Sequence, residues 1–192
     1  MAPSKEAETR VLSLVGSLRA GSVNRQVAET AAAVAPEGVE VTIFEGLGDL
    51  PFYNEDIDVP GASIPGVDEL RAAAAQADAL LLVTPEYNGT VPAVLKNAID
   101  WLSRPYGAGA VKDKPVAVIS ASPSPNAAKW AHDDARKALG IAGGNVLAAE
   151  LSIGGTIQKF GELHPRENAE VAQQVGGVVA ALVEASKDLV SA

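Results

Sequence analysis

Five short runs of aliphatic and β-branched residues, at 11–15, 39–44, 79–84, 115–120 and 146–153, alternate with longer stretches in which apolar residues recur at helical spacing. A run with no polar alternation must be covered on both faces, and parallel strands linked by helices meet that demand. The intervening helices show their buried stripes directly. Val27, Ala31 and Val34 fall on one face of the first, and Val67, Leu70, Ala74 and Ala77 on one face of the second. The third carries Val94, Leu95, Ala98, Ile99 and Leu102; a fourth is predicted over 126–139 and a last over 168–189. The order βαβαβαβαβα defines an α/β protein with helices on both faces of a parallel sheet. The stretch 45–66 is the one long loop, a length that in most proteins marks function or disorder.

Composition narrows the class further. The chain has 192 residues, 47% apolar and 20% charged, which suits one globular domain over 1–192 with flexible termini at 1–9 and 187–192. It contains no Cys, so disulfides, thiolate catalysis and cysteine-ligated metal clusters are excluded. A formal net charge of -9 argues against nucleic acid or an anionic membrane as partner, because both demand clustered Lys and Arg. No apolar stretch approaches the ~20 residues that span a bilayer, and the first ten residues lack the core of a signal peptide. The expected location is cytoplasmic.

In open sheets of this kind ligands bind beyond the carboxyl ends of the strands. After the first strand comes Gly16-Ser17-Leu18-Arg19-Ala20-Gly21-Ser22-Val23-Asn24. Unpaired N–H groups at a helix start, the hydroxyls of Ser17 and Ser22, the Asn24 amide and the Arg19 guanidinium together suit a phosphate. Ser22 also serves as a helix cap, and Gly16 and Gly21 permit the turn. The glycine spacing matches a Walker loop, but Ser22-Val23 stands where Lys-Ser/Thr is required, so nucleotide triphosphate hydrolysis is disfavoured. The G-x-G-x-x-G fingerprint is absent, although Glu45 stands where a ribose-binding acid would.

The loop after the third strand reads Thr84-Pro85-Glu86-Tyr87-Asn88-Gly89-Thr90-Val91-Pro92. Pro85 stops the strand, Gly89 allows a tight turn and Pro92 suits a helix start. Backbone donors there could face a flat heteroaromatic ring, with Tyr87 as a wall.

These two segments, GSLRAGSVNRQVAE and TPEYNGTVPAVLKNAIDWLSRP, with LPFYNEDID between them, resemble the NADPH-dependent FMN reductase family, a flavodoxin-like group that includes quinone, azo and chromate reductases. The similarity runs over 11–155. It implies a flavodoxin-like three-layer sandwich, a five-stranded parallel sheet of order 2-1-3-4-5, and FMN bound non-covalently at its edge. Ser17, Arg19, Ser22 and Asn24 would hold the phosphate, and Pro85, Glu86, Tyr87, Asn88 and Gly89 would border the isoalloxazine. Ser120 and Ser122 would contribute from the loop after the fourth strand. That loop departs from the family pattern: a glycine pair usually follows Ser-x-Ser-Pro, and this chain has Asn126-Ala127-Ala128. The resemblance also implies NADPH or NADH as co-substrate, a small-molecule electron acceptor such as a quinone or free flavin, and a homodimer or homotetramer. The helix after the second motif would contribute to the subunit interface.

Flavin chemistry explains why no acid–base dyad stands out: the ring carries the hydride step and the protein positions it. Glu55, Asp56 and Asp58 lack the ligand count and turn glycine of a calcium loop and read as a solvated loop. His132-Asp133-Asp134 occupies adjacent, diverging positions of a helix, without a second His at metal-ligand spacing. Trp101 and Trp130 read as packing residues. Two other readings stay open: a flavodoxin-like electron carrier, against which Arg19 counts, and a non-catalytic regulatory domain that has lost its flavin.

Overall fold

The computed structural model describes residues 9–191. Five parallel strands, β1 (Thr9–Val15), β2 (Val39–Ile43), β3 (Ala79–Thr84), β4 (Pro115–Ala121) and β5 (Asn145–Ile153), form one sheet of order β2-β1-β3-β4-β5. The expected α/β class and strand order are therefore both present. The order reverses direction between β1 and β3, and that switch point opens a crevice at the carboxyl edge of the sheet.

Period-two alternation splits the strands' apolar residues between two cores. Leu12, Leu14, Leu80, Leu82, Val116 and Val118 face one side, packed against α2 (Pro65–Gln76), α3 (Ala93–Leu102) and α4 (Lys129–Ile141). Val11, Val15, Leu81, Val83, Ala117 and Ile119 face the other, against α1 (Val23–Ala33) and α6 (Ala169–Ser191). A short helix α5 (Thr156–Phe160), bounded by Gly155 and Gly161, lies between β5 and α6 and has no counterpart in the sequence-based expectation. No helix among the described residues is long and apolar enough to cross a membrane.

Packing decides several further expectations. The long loop after β2 is ordered from within: Leu47 and Leu50 are buried, and Pro51 O accepts from Asn97 Nδ2 and Trp101 Nε1 at 3.0 and 2.8 Å. Tyr53 N donates to Asn97 Oδ1 at 2.8 Å, and the Tyr53 ring meets Trp101 edge-on at 4.9 Å. Asp58, read as a solvated loop residue, instead forms a bidentate pair with Arg71 at 2.9 and 3.1 Å. Trp101 is a packing residue, fully buried, whereas Trp130 is 62% exposed. Of the termini expected to be flexible, 1–8 and 192 lie outside the described residues; Thr9 pairs with Val39, and α6 continues to Ser191.

Candidate cofactor site at the carboxyl edge of the sheet

Three loops meet beyond β1, β3 and β4. The first begins at Gly16, whose N–H donates to Val83 O at 2.8 Å and so stitches the exit of β1 to β3. A Cβ at Gly16 would lie 3.2 Å from Pro85 Cδ and Leu95 Cδ2 and 3.3 Å from Pro92 Cγ, so a side chain here would press on three neighbours where the first loop closes against the second. Ser22 caps α1, its Oγ accepting from Arg25 N at 3.5 Å, while its hydroxyl hydrogen remains as a donor.

The backbone of this loop is open. Gly16 N and Ser22 N are paired, but the N–H groups of Ser17, Leu18, Arg19, Ala20 and Gly21, and those of Val23 and Asn24 in the first turn of α1, make no hydrogen bond to other described residues. Arg19 is exposed and has no carboxylate partner among the described residues, so its charge is available at the same place. A run of N–H groups without partners at a helix start, beside a guanidinium without a carboxylate partner, suits a phosphate monoester. A cavity of 460 Å³ adjoins it, lined by Ser17, Arg19, Phe44, Glu45 and Leu47 among others.

Asn24 holds a different station from Ser17 and Arg19. It is 3% exposed, and its Nδ2 donates to the carbonyl of Ala121 at 3.0 Å, tying the start of α1 to the end of β4. Its Oδ1 is buried without a partner, an acceptor left for a donor such as a polyol hydroxyl. Arg25 and Glu45 were not anticipated as a pair. Arg25 donates to both Glu45 oxygens at 2.8 and 2.5 Å, and the guanidinium holds the Glu45 carboxyl below its usual range. Glu45 is thus engaged and does not stand free as a ribose acid.

In the second loop Tyr87 and Thr90 exchange two backbone hydrogen bonds, at 3.1 and 3.2 Å, around Asn88 and Gly89 at φ 53° and 78°. Two left-handed residues at the centre make this a type I′ turn, the pairing for which Asn-Gly is suited. The N–H groups of Glu86, Asn88 and Gly89 remain without partners among the described residues. The Tyr87 ring is exposed at the rim.

Glu86 does more than border this loop. Its Oε2 accepts from Trp130 N at 3.1 Å and Ala131 N at 3.2 Å, so it caps α4 from 44 residues away. Ala128, the residue at the N-cap position, has no side-chain oxygen to do so. Thr90 Oγ1 adds a bond of 2.6 Å to Asp134 Oδ2, and the Trp130 ring lies over Gly89. The second loop and the start of α4 therefore form one rigid wall.

In the third loop the structure places Ser120 differently from Ser122. Ser120 is fully buried, and its hydroxyl joins Ala127 O at 2.7 Å and Ser152 Oγ at 3.0 Å. Ser122 Oγ accepts from Ser124 N at 3.1 Å and shapes the turn. Ala127 and Ala128 both sit at left-handed φ, 55° and 57°, where glycines would be unstrained. These two residues stop α4 from starting at 126 and delay it to Lys129.

The sequence matches the NADPH-dependent FMN reductase family over residues 9–158, and the chain belongs to that family. It is 50% identical over 113 residues to a quinone reductase of Pseudomonas putida, covering 57% of this chain and 58% of that protein. It is 45% identical over 95 residues to a quinone reductase of Escherichia coli K12, covering 50% of each. The chain thus spans between half and three-fifths of the length of these curated relatives. Among solved structures it resembles FerB, a flavoenzyme NAD(P)H:(acceptor) oxidoreductase of Paracoccus denitrificans, with a TM-score of 0.81 and 32% identity over 94% of this chain and 98% of that one. A flavodoxin of Pseudomonas aeruginosa shares the fold, with a TM-score of 0.59 and 21% identity.

Proposed function

We propose that the chain acts as one FMN-binding domain that oxidises NADPH or NADH and reduces small acceptors such as quinones or free flavins. The observation that carries this is the open set of N–H groups at Ser17–Gly21, Val23 and Asn24 beside Arg19, which has no carboxylate partner among the described residues. Ser17, Arg19 and Ser22 would hold the FMN phosphate, with Asn24 Oδ1 turned toward the ribityl chain. Pro85, Tyr87 and the free N–H groups of Glu86, Asn88 and Gly89 would border the ring. Ser122 would stand behind it, and Ser120 would support that loop from inside. When bound, FMN supplies two-electron transfer between a nicotinamide and an acceptor. The residues described here bind it, orient it and keep one face approachable. The names of the quinone reductases and of FerB support this reading.

The same reading places the protein in the cytoplasm, where nicotinamide cofactors are available, and as a homodimer or homotetramer. A groove of 1,120 Å³ between α3 and α4 supports association through that face, lined by Tyr87, Tyr106 and Ile141 among others. Tyr106 is 91% and Ile141 78% exposed, and Tyr87 makes the groove continuous with the ring-side loop.

Absorbance of the protein purified in the dark tests the proposal. Flavin bands that bleach rapidly under anaerobic NADPH or NADH are expected. A coloured protein inert to both nucleotides points to an electron carrier instead, and a colourless one that takes up no FMN removes every flavin reading. Sedimentation of wild type and Ile141→Lys tests the groove, with a shift toward monomer expected in the variant.

A further inference from the structure

On the sheet side of α4, His132 turns the Nδ1 edge of its imidazole toward a pair of carboxylates. The side chain is fully buried, and Nε2 lies 3.0 Å from Val118 O. A carbonyl only accepts, so Nε2 carries the hydrogen and Nδ1 in the neutral ring presents a lone pair. That nitrogen is buried and has no hydrogen-bond partner. Facing it are Asp133 Oδ1 at 3.5 Å and Glu150 Oε2, from β5, at 3.9 Å. A lone pair aimed at two anionic oxygens is repulsive unless something positive lies between them.

We propose that His132 Nδ1, Asp133 and Glu150 form a site for a divalent transition-metal ion of the zinc type. One imidazole nitrogen and two carboxylate oxygens are a donor set that such ions accept, with solvent completing the shell. At metal–ligand bonds of about 2.0–2.2 Å, tetrahedral donors lie roughly 3.3–3.6 Å apart. The three donor atoms here all fall within 4.8 Å of one another, and two of the separations are already close to that value. Asp133 and Glu150 are half exposed, so their side chains can close the remaining distance. The carbonyl of Val118 does for His132 what an outer hydrogen-bond partner does for a metal-bound imidazole: it fixes the tautomer and the ring orientation.

Two cations already attend the cluster. Lys129 Nζ bonds Asp133 and lies 3.8 Å from Glu150; Arg136 Nε lies 3.7 Å from Glu150 while its Nη1 donates to Leu147 O at 2.7 Å. Arg136 is tethered and stays. Lys129 is 42% exposed and swings away, so the incoming ion displaces one ammonium. Adjacency of His132 and Asp133 on a helix argued against a metal in the sequence. The missing donor is Glu150, which the parallel pairing of β4 with β5 brings across from another element. A metal here would fasten the first turns of α4 to the edge strand.

Zinc titration of the flavin-bearing protein after chelator treatment tests this independently of its reductase activity. One Zn²⁺ per chain is expected, with a rise in melting temperature. Glu150→Gln should weaken binding at least about tenfold and abolish the thermal shift, while melting like wild type in chelator. Lys129→Ala should tighten binding. His164→Gln controls for the other histidine and should bind as wild type does. Equal affinity in wild type and Glu150→Gln, loss of binding in His164→Gln, no gain in Lys129→Ala, or no saturable binding would each overturn the site.

Discussion

The loops after β1 and β4 leave the same edge of the same sheet, yet they solve opposite problems. The first leaves the N–H groups of residues 17–21 and its one charge without partners among the described residues. The other turns inward: Ser120 bonds Ala127 O and Ser152, and Ser122 and Ser124 accept from backbone N–H groups two residues on. Both are rich in serine, so composition does not separate them. What separates them is whether the backbone's hydrogen-bonding capacity is met inside the chain, because unmet donors are stable only where solvent or a ligand completes them. An open loop is a candidate binding surface, and a self-satisfied one is a wall.

The most damaging way to test this contrast is to force the open loop away from its neighbour. Gly16→Val would drive side-chain atoms into Pro85, Leu95 and Pro92, already 3.2–3.3 Å from a bare Cβ. Overpacking at a seam with so little slack should cost roughly 3 kcal/mol of stability and FMN binding with it, read by denaturant titration and flavin content. Arg19→Ala acts on the ligand alone. The side chain makes no ion pair among the described residues, so stability should hold. A charge-assisted phosphate contact is worth about 1.5–3 kcal/mol, so FMN affinity should fall about tenfold to a hundredfold. An unchanged dissociation constant would remove Arg19 from the site and with it the idea that the open loop takes the phosphate.

How much of this was legible beforehand follows from the range of each interaction. The strands were legible because parallel strands covered on both faces show near-continuous apolar runs, and Leu80-Leu81-Leu82-Val83 leaves no polar face to misread. The open loop after β1 was legible as a candidate surface because a loop between a buried strand and a helix start has a known electrostatic character. Glu86 as the cap of α4, Asn97 as the anchor of the long loop, and Glu150 beside His132 were not. Each depends on a partner 18 to 46 residues away that only the fold brings near. The start of α4 was misplaced for a subtler reason: nothing in Asn126-Ala127-Ala128 announces two left-handed residues, and alanine is the strongest helix former. The inward station of Ser120 was not legible either, because a serine at a strand end reads alike whether it faces a ligand or its own loop.

Ser120→Ala sharpens the contrast from the closed side. It removes the donor to Ala127 O and leaves that carbonyl and Ser152 to find other partners. About 1.5 kcal/mol of stability should be lost, with the FMN dissociation constant unchanged within a factor of about two. A large loss of FMN affinity at unchanged stability would instead mean that the hydroxyl reaches the ligand, and the wall would become part of the site.

The smallest expected effect is the most diagnostic of how the closed loop is held. Ala127 occupies a left-handed conformation, at φ 55°, that costs an L-residue about 1–2 kcal/mol. Replacing it with Gly removes that strain but adds about 0.4–1 kcal/mol of unfolded-state entropy, so Ala127→Gly should stabilise by roughly 0.5–1 kcal/mol. Ala127 is the better test than Ala128, which is 1% exposed and would also lose a buried methyl. Stability that falls on Ala127→Gly would mean that the methyl's packing beside Gly154, where an added Cβ would lie 3.2 Å from it, outweighs the strain. If stability rises while FMN affinity stays constant, the loop is a strained support whose backbone geometry is imposed by Ser120, Glu86 and the sheet rather than chosen by its own residues.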